Sequence, residues 1–431
     1  MKKSTLLLLA LFSLGSLYGS NKIGETKTAR HTVTVSQSDV INIQAKNTFV
    51  NIQTWDKNEV EIVVELTFDG NENDRIRKFL DEFDKNVKDH ISKSGGELLI
   101  DTNLEEPNKV QIGSKYAGVI VGYSDKELRI EYSIKLPSSN KLKVKSSYKD
   151  LIMNGTYQDV EVSQYSADLT GGVFKKATLG LKYGDTNIEF VGEGIIESYE
   201  NDTEIKEAET LDINDKYSNI FINRIASLAI IGYETDLKIG NTESLNGNLK
   251  YGNMTVKEKV SKASLTLYEY DITGEAFGNL RLENSKYSKI TLDRANEIRF
   301  LESYEDELKI RYLNTLVTKS KYGDYSIEQL GKKFELVGYE DDVNVSELLK
   351  TTESISLDGK YLKLNLGTSG ISYSLNAAVQ YGKIDYNEGN VNVRKYIKEN
   401  DKLTIEADAK TTSGNVVSVK LTGYEVKAEI N

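Results

Sequence analysis

Lys216-Tyr217-Ser218-Asn219-Ile220-Phe221-Ile222, then Gly232-Tyr233-Glu234-Thr235-Asp236-Leu237-Lys238-Ile239, then Lys250-Tyr251-Gly252-Asn253-Met254-Thr255-Val256: three times a tyrosine precedes a short alternating apolar pair. Alternation over a few residues reads as a half-buried strand. The second residue of each pair serves as a ruler, and outward from this stretch it runs Ile188, Ile205, Ile222, Ile239, Val256, Gly274, Leu292, Ile310, Ile327, Val345, in steps of 17 or 18. Self-similarity at a fixed short period marks a solenoid, whose neighbouring units bury each other's faces.

The tyrosines keep a looser beat, recurring every 16 to 19 residues from Tyr148 and Tyr165 to Tyr339. Tyr183, Tyr217, Tyr251, Tyr287 and Tyr322 lie five residues before the ruler and follow a lysine (Lys182, Lys216, Lys250, Lys286, Lys321). Tyr199, Tyr233, Tyr268, Tyr304 and Tyr339 lie six before it and precede a glutamate (Glu200, Glu234, Glu269, Glu305, Glu340). Two unit types therefore alternate strictly. A coil of one unit staggers the rings and alternates charge up the stack. A coil of two units would set Lys on Lys and Glu on Glu about 4.8 Å apart, which is unfavourable. The short coil, 17–18 residues, is the expectation. These ten tyrosines are read as a structural ladder first, with a face for sugar rings as the second reading, which requires exposed and coplanar rings.

Composition agrees with a long β-structure. Of two prolines, Pro107 and Pro137, neither lies in the array, and proline cannot donate to a ladder. The 32 glycines suit corners. Zero cysteines exclude disulfides and thiolate metal sites. Met1 to Ser20 reads as a secretory signal, with Lys2 and Lys3 before the apolar run Leu6–Leu14. Later segments are too polar for transmembrane helices. The expected locale is the periplasm or the cell surface. Without Lys2 and Lys3 the net charge moves from −11 to −13, which argues against nucleic acid as a partner.

Residues 21–137 do not repeat and are expected to form an α+β unit capping the solenoid of residues 138–431. A helical face runs through Ile76, Phe79, Leu80, Phe83, Val87 and Ile91, so one helix is expected over residues 71–92, capped by Asn73 or Asp74 and stopped by Gly95-Gly96. Past Val345 the spacing widens around Tyr361 and Tyr381, and residues 416–430 read as a closing strand or cap.

Chemistry is sparse. His31 and His90 form no evident metal pair or base dyad, and no nucleophile elbow, phosphate loop or zinc motif is present. No catalytic, metal or cofactor residue is assigned. Corner acids Asp185, Asp202, Asp236, Asp271, Asp306, Asp324, Asp341 and Asp342 are expected to cap turns, with calcium as the sharper alternative. The lysine series is read as a solvated edge, with a polyanionic glycan as its sharper alternative.

Asn51-Ile52-Gln53-Thr54-Trp55-Asp56-Lys57-Asn58-Glu59-Val60, followed by the Lys-Tyr-Gly, Lys-Tyr-Ser and Ser-Tyr-Glu units, resembles the exported bacterial putative-adhesin family of β-solenoids. The resemblance spans most of residues 40–385. It implies a parallel β-solenoid in the cell envelope and carries no functional residues. The expected function is a non-enzymatic envelope or surface solenoid, adhesin-like or structural, with a cell-surface glycan or envelope protein as partner. A glycan-processing β-helix enzyme and an envelope signalling or scaffold partner are the alternatives.

Overall fold

The computed structural model describes residues 22–71, 74–104, 128–411 and 415–431. The expected secretory signal, and Asn73 as a helix cap, lie outside the described residues. The described residues form a mainly β chain whose strands join one 25-stranded sheet.

The central array is a parallel β-solenoid of short coils. Ile205 pairs with Ile222 and Ile222 with Ile239, each 17 residues on. Gly274 pairs with Leu292, Leu292 with Ile310, Ile310 with Ile327 and Ile327 with Val345. The ruler residues with side chains face inward and are buried, Ile239 fully and Ile310 nearly so, while Gly274 is half-buried. Away from Gly274, each ruler side chain thus packs between those above and below, which is where the burial of apolar area stabilises the stack.

One residue per coil adopts the left-handed conformation: Tyr183, Glu200, Tyr217, Glu234, Tyr251, Glu269, Tyr287, Glu305, Tyr322 and Glu340, with φ between 47° and 64°. This explains the two unit types. The backbone corner is the same in every coil. The tyrosine occupies it in one coil and precedes it in the next. A positive φ is uncommon for residues other than glycine and costs free energy. Here the corner amide is used: it donates to the carbonyl of the adjacent coil, as Tyr217 N to Tyr233 O at 3.0 Å and Glu234 N to Lys250 O at 2.8 Å. The glycine after Tyr251 has a steric cause. A Cβ on Gly252 would stand 2.4 Å from the Thr235 carbonyl oxygen.

Both ends of the stack are threaded out of sequence order. The pair Val40–Lys46 and Phe49–Trp55 lies between Glu97–Asp101 with Leu128–Pro137 on one side and Lys141–Ser147 with Leu151–Tyr157 on the other. Its corner is Asn47, at φ 54°. At the far end, Val416–Tyr424 and Lys427–Ile430 lie between Ser354–Lys360 with Lys363–Leu366 and Ser372–Gln380 with Lys383–Tyr386. Residues 416–430, expected as a closing strand or cap, form the last parallel coil save one. Each end then turns antiparallel. Glu59–Asn71 pairs with Leu128–Pro137, and Lys22–Thr34 covers it. Lys402–Ala409 pairs with Ser372–Gln380, and Val391–Glu399 covers it. Antiparallel caps of this kind shield the open edges of a stack.

The single helix expected over residues 71–92 is two short ones, α1 (Asp74–Asp81) and α2 (Phe83–Asp89), meeting at Glu82. Ile76, Phe79, Leu80, Phe83 and Val87 are buried as the periodicity requires. Ile91 belongs instead to the strand Ile91–Ser94, and Gly95 and Gly96, at φ +60° and +81°, make the hairpin turn to Glu97–Asp101 rather than a helix stop.

Candidate functional site: the tyrosine corner

All ten tyrosines named from the sequence line one corner of the solenoid. Adjacent rings meet edge to face: Tyr183–Tyr199 at 5.5 Å, Tyr217–Tyr233 at 5.6 Å, Tyr251–Tyr268 at 5.4 Å and Tyr322–Tyr339 at 5.6 Å between centroids. The column shift produces this packing. Rings at the same position in successive coils would be eclipsed at the strand spacing, whereas rings one residue out of step tilt edge to face, the arrangement aromatic quadrupoles favour.

The ladder is longer than the ten tyrosines assigned to the two unit types. Tyr148 and Tyr165 extend it at one end. At the other, Tyr339 meets Tyr361, Tyr361 meets Tyr424, and Tyr424 meets Tyr381. Tyr424 was missed. Its signal was local all the same: it precedes Glu425, a left-handed residue like Glu340, while Tyr361 and Tyr381 are themselves left-handed. The alternation holds in space although the sequence order is broken.

The rings are partly open to solvent, from 36% exposed at Tyr233 to 50% at Tyr148 among the more exposed. They are not coplanar. Successive planes are inclined by 61° to 81°, so the flat platform needed for sugars stacked across consecutive rings is absent.

Charge fills the gaps. The strand register sets Tyr165 beside Lys182, Lys216 beside Tyr233, Tyr233 beside Lys250, Lys286 beside Tyr304, Tyr304 beside Lys321 and Tyr339 beside Lys360. One column therefore alternates Tyr and Lys, and the column beside it alternates Tyr and Glu. Glu200 beside the Tyr199 hydroxyl, and Glu305 beside that of Tyr304, hold those phenols above their usual pKa. Burial, then the following glutamate, does the same at Tyr233 and Tyr339. The ammonium groups of Lys182, Lys216, Lys250, Lys286, Lys321 and Lys360 are exposed and form no ion pair with a described residue. Beside this column a trough of about 440 Å³ opens among Lys286, Lys319, Lys321, Glu302, Tyr304 and Tyr339.

Beneath the corner lies a buried polar spine. Asp306 accepts from Ser303 Oγ at 2.6 Å, Ser288 N at 3.0 Å and Ser285 Oγ at 3.1 Å. Burial pushes its carboxyl up to about 6, against the lowering effect of those donors. Asp341 accepts from Ser320 Oγ and Gly323 N, each at 2.7 Å, and burial raises it also. These two corner acids are structural groups inside the wall.

On the far side of the corner a groove of about 690 Å³ is lined by Asp168, Asp202, Asp236, Asn219, Asn253 and Phe221. Its acids bond to the next coil: Asp168 accepts from Asp185 N at 2.9 Å, Asp202 from Asn219 N at 2.9 Å, and Asp236 from Asn253 N at 3.0 Å; outside the groove, Asp271 accepts from Lys289 N at 3.0 Å in the same way. These bonds tie one coil to the next, 17 or 18 residues on, rather than closing the acid's own turn as the turn-capping expectation had it. Asp324 and Asp342 pair with each other's coil, the amide of Asp342 donating to Gly323 O at 2.9 Å. Among the described residues no group of three or more His, Asp or Glu is placed to hold a metal ion. His31 faces Asp84 at 3.3 Å, and His90 Nδ1 lies 2.8 Å from Asn86 O, so the two histidines serve separate local contacts.

No family model matches the chain, and no curated protein matches it. Among solved structures it is similar to a "putative cell adhesion protein" from Clostridium sporogenes, at 10% identity over 94% of this chain and 99% of that one, with a TM-score of 0.17. It is also similar to a "putative lipid binding protein" from Parabacteroides distasonis, at 13% identity over 77% and 93%, with a TM-score of 0.18. At such values neither name transfers to this chain. Among the described residues no helix is long and apolar enough to cross a membrane.

Proposed function

We propose that this protein is a non-enzymatic solenoid of the cell envelope or surface that binds an extended acidic polymer, such as a cell-surface glycan, along its tyrosine corner. One observation carries the reading: a column of exposed lysines, without an ion pair among the described residues, recurs every second coil in register with the tyrosines of neighbouring coils, Lys321 lying between Tyr304 and Tyr339. Two strand spacings put successive ammonium groups about 9.6 Å apart. A linear chain laid along the corner meets cation, ring edge and hydroxyl in repeating order. Each contact is weak, and their number along a rigid array supplies avidity. The neighbouring glutamates lie beside tyrosine hydroxyls, which leaves the lysines as the unengaged charge.

Three carboxylates of the larger groove, Asp168, Asp202 and Asp236, already accept backbone amides, which weighs against the alternative of a glycan-processing enzyme. The test is an array of acidic and neutral glycans probed with the purified protein, alongside a pull-down from envelope extracts. Selective retention on acidic polymers without their depolymerisation is the expected result. Retention on neutral sugars alone, or cleavage of any bound chain, refutes the reading.

A further inference from the structure

The slot occupied by Val416–Tyr424 and Lys427–Ile430 is filled out of sequence order, as is that of Val40–Lys46 and Phe49–Trp55 at the other end. The coils on either side of it, Ser354–Leu366 and Ser372–Tyr386, are consecutive in the chain and joined only by residues 367–371. Through the inserted pair, Ser354 aligns with Ser418 and then Ser374, and Lys363 with Lys427 and then Lys383, a spacing of 20 residues. Neighbouring coils just before it, Lys333 with Ser354 and Asp342 with Lys363, are spaced by 21. The two flanking coils thus have nearly the length and the same inward phase of direct neighbours. Chain geometry does not force a gap between them; the inserted segment holds it open.

The corner shows that the slot is made for this segment. Tyr361 and Tyr381 are both left-handed. Stacked directly they would share one column, and the alternation of the ladder would fail. Tyr424 enters between them out of step, meeting them edge to face at 5.7 Å and 5.2 Å. Val417, Val419, Leu421, Val426, Ala428 and Ile430 are buried. Both margins are pinned: Thr422 Oγ1 donates to Asp358 at 2.6 Å, and Thr368 N donates to Asn431 O at 2.6 Å. Every one of these contacts depends on the inserted residues and none on the chain that leads to them.

We propose that this slot is a strand-acceptor site whose partner is residues 416–431 of a second copy, so that copies join by exchanging this segment. Exchange of an identical element preserves every native contact, so its equilibrium cost is small. The tethered segment competes at high effective concentration, so exchange waits on its release and favours crowded copies, as on a surface. The proposal is independent of what the tyrosine corner binds.

The test uses the lack of native cysteine. Asp358→Cys and Thr422→Cys are placed in separate full-length chains, mixed at high concentration, warmed below the melting temperature, and then oxidised. Asp358 and Thr422 are partners in the parallel register, so a mixed disulfide dimer above the level set by random collision forms only where one copy's segment lies in the other's slot. The expected result is a heterodimer at least ten times more abundant than in a mixture of Asp358→Cys with Thr170→Cys, an exposed position on a distant coil. The double variant Asp358→Cys/Thr422→Cys, oxidised beforehand, should remain a monomer at every concentration. Heterodimer at the control level, with the double variant closing its intrachain bond normally, overturns the proposal, because it shows the slot intact and filled only by its own segment.

Discussion

Replacing Asp306 by asparagine isolates the buried acid under the tyrosine corner. The carboxylate accepts three protein donors yet lies away from water, and its pKa rises from 3.8 to about 6. The unfolded chain therefore gives up this proton at lower pH than the folded one. Between about pH 4 and pH 6 the unfolded state binds fewer protons, so stability falls as pH rises through that window and stays level above it. A shift of roughly two units corresponds to about 3 kcal/mol. Asparagine fits the same space, keeps an acceptor for Ser288 N, and does not titrate. The difference in unfolding free energy between Asp306→Asn and the parent should therefore move in favour of the variant by about 2–3 kcal/mol from pH 4 to pH 8. Urea unfolding of both proteins across that range, followed by far-ultraviolet circular dichroism, measures it. Comparing the pair removes the titration of every other carboxylate. A difference that stays constant with pH, or that moves against the variant above pH 6, would refute a neutral buried acid at this position.

Ile239→Ala should lower the melting temperature more than Tyr233→Ala. The isoleucine is fully buried and its truncation costs about 2–5 kcal/mol, whereas Tyr233 is 36% exposed and forfeits two ring contacts of about 1 kcal/mol each; calorimetry with the order reversed would place the tyrosines in the core. Gly252→Ala should destabilise by about 1–3 kcal/mol, because its Cβ meets the Thr235 carbonyl oxygen at 2.4 Å and Tyr270 at 3.0 Å. An unchanged urea midpoint would show that the coils yield there.

The repeat was legible because two demands recur in every coil. An inward apolar pair must return at constant spacing, and Ile205, Ile222 and Ile239 do so in sequence as they do in register. The five–six alternation of the tyrosines was legible as a pattern. Its cause was not, since a left-handed Glu234 or Tyr251 has no compositional sign of the kind that glycine gives. The threading of both ends was also hidden. Alternation in residues 416–430 announces strands, but the neighbour each strand chooses is non-local, and the flanking coils would have matched each other nearly as well. The helix break at Glu82 was hidden for a different reason: buried Phe79, Leu80, Phe83 and Val87 keep one periodic face across it. The candidate site was half visible. Its tyrosines could be named, but their inclination and the freedom of the lysines are properties of the fold.

The corner's role as a binding face is tested most directly by equilibrium binding of the full-length protein and its Lys216→Gln/Lys250→Gln/Lys286→Gln variant to an acidic polysaccharide across a range of salt concentrations. These lysines are exposed and without ion pairs among the described residues, so the melting temperature should be unchanged. The parent should bind with an affinity that falls as salt rises, and the variant should bind at least tenfold more weakly with a shallower salt dependence. Equal affinity and equal salt dependence in the two proteins would contradict the role assigned to the corner.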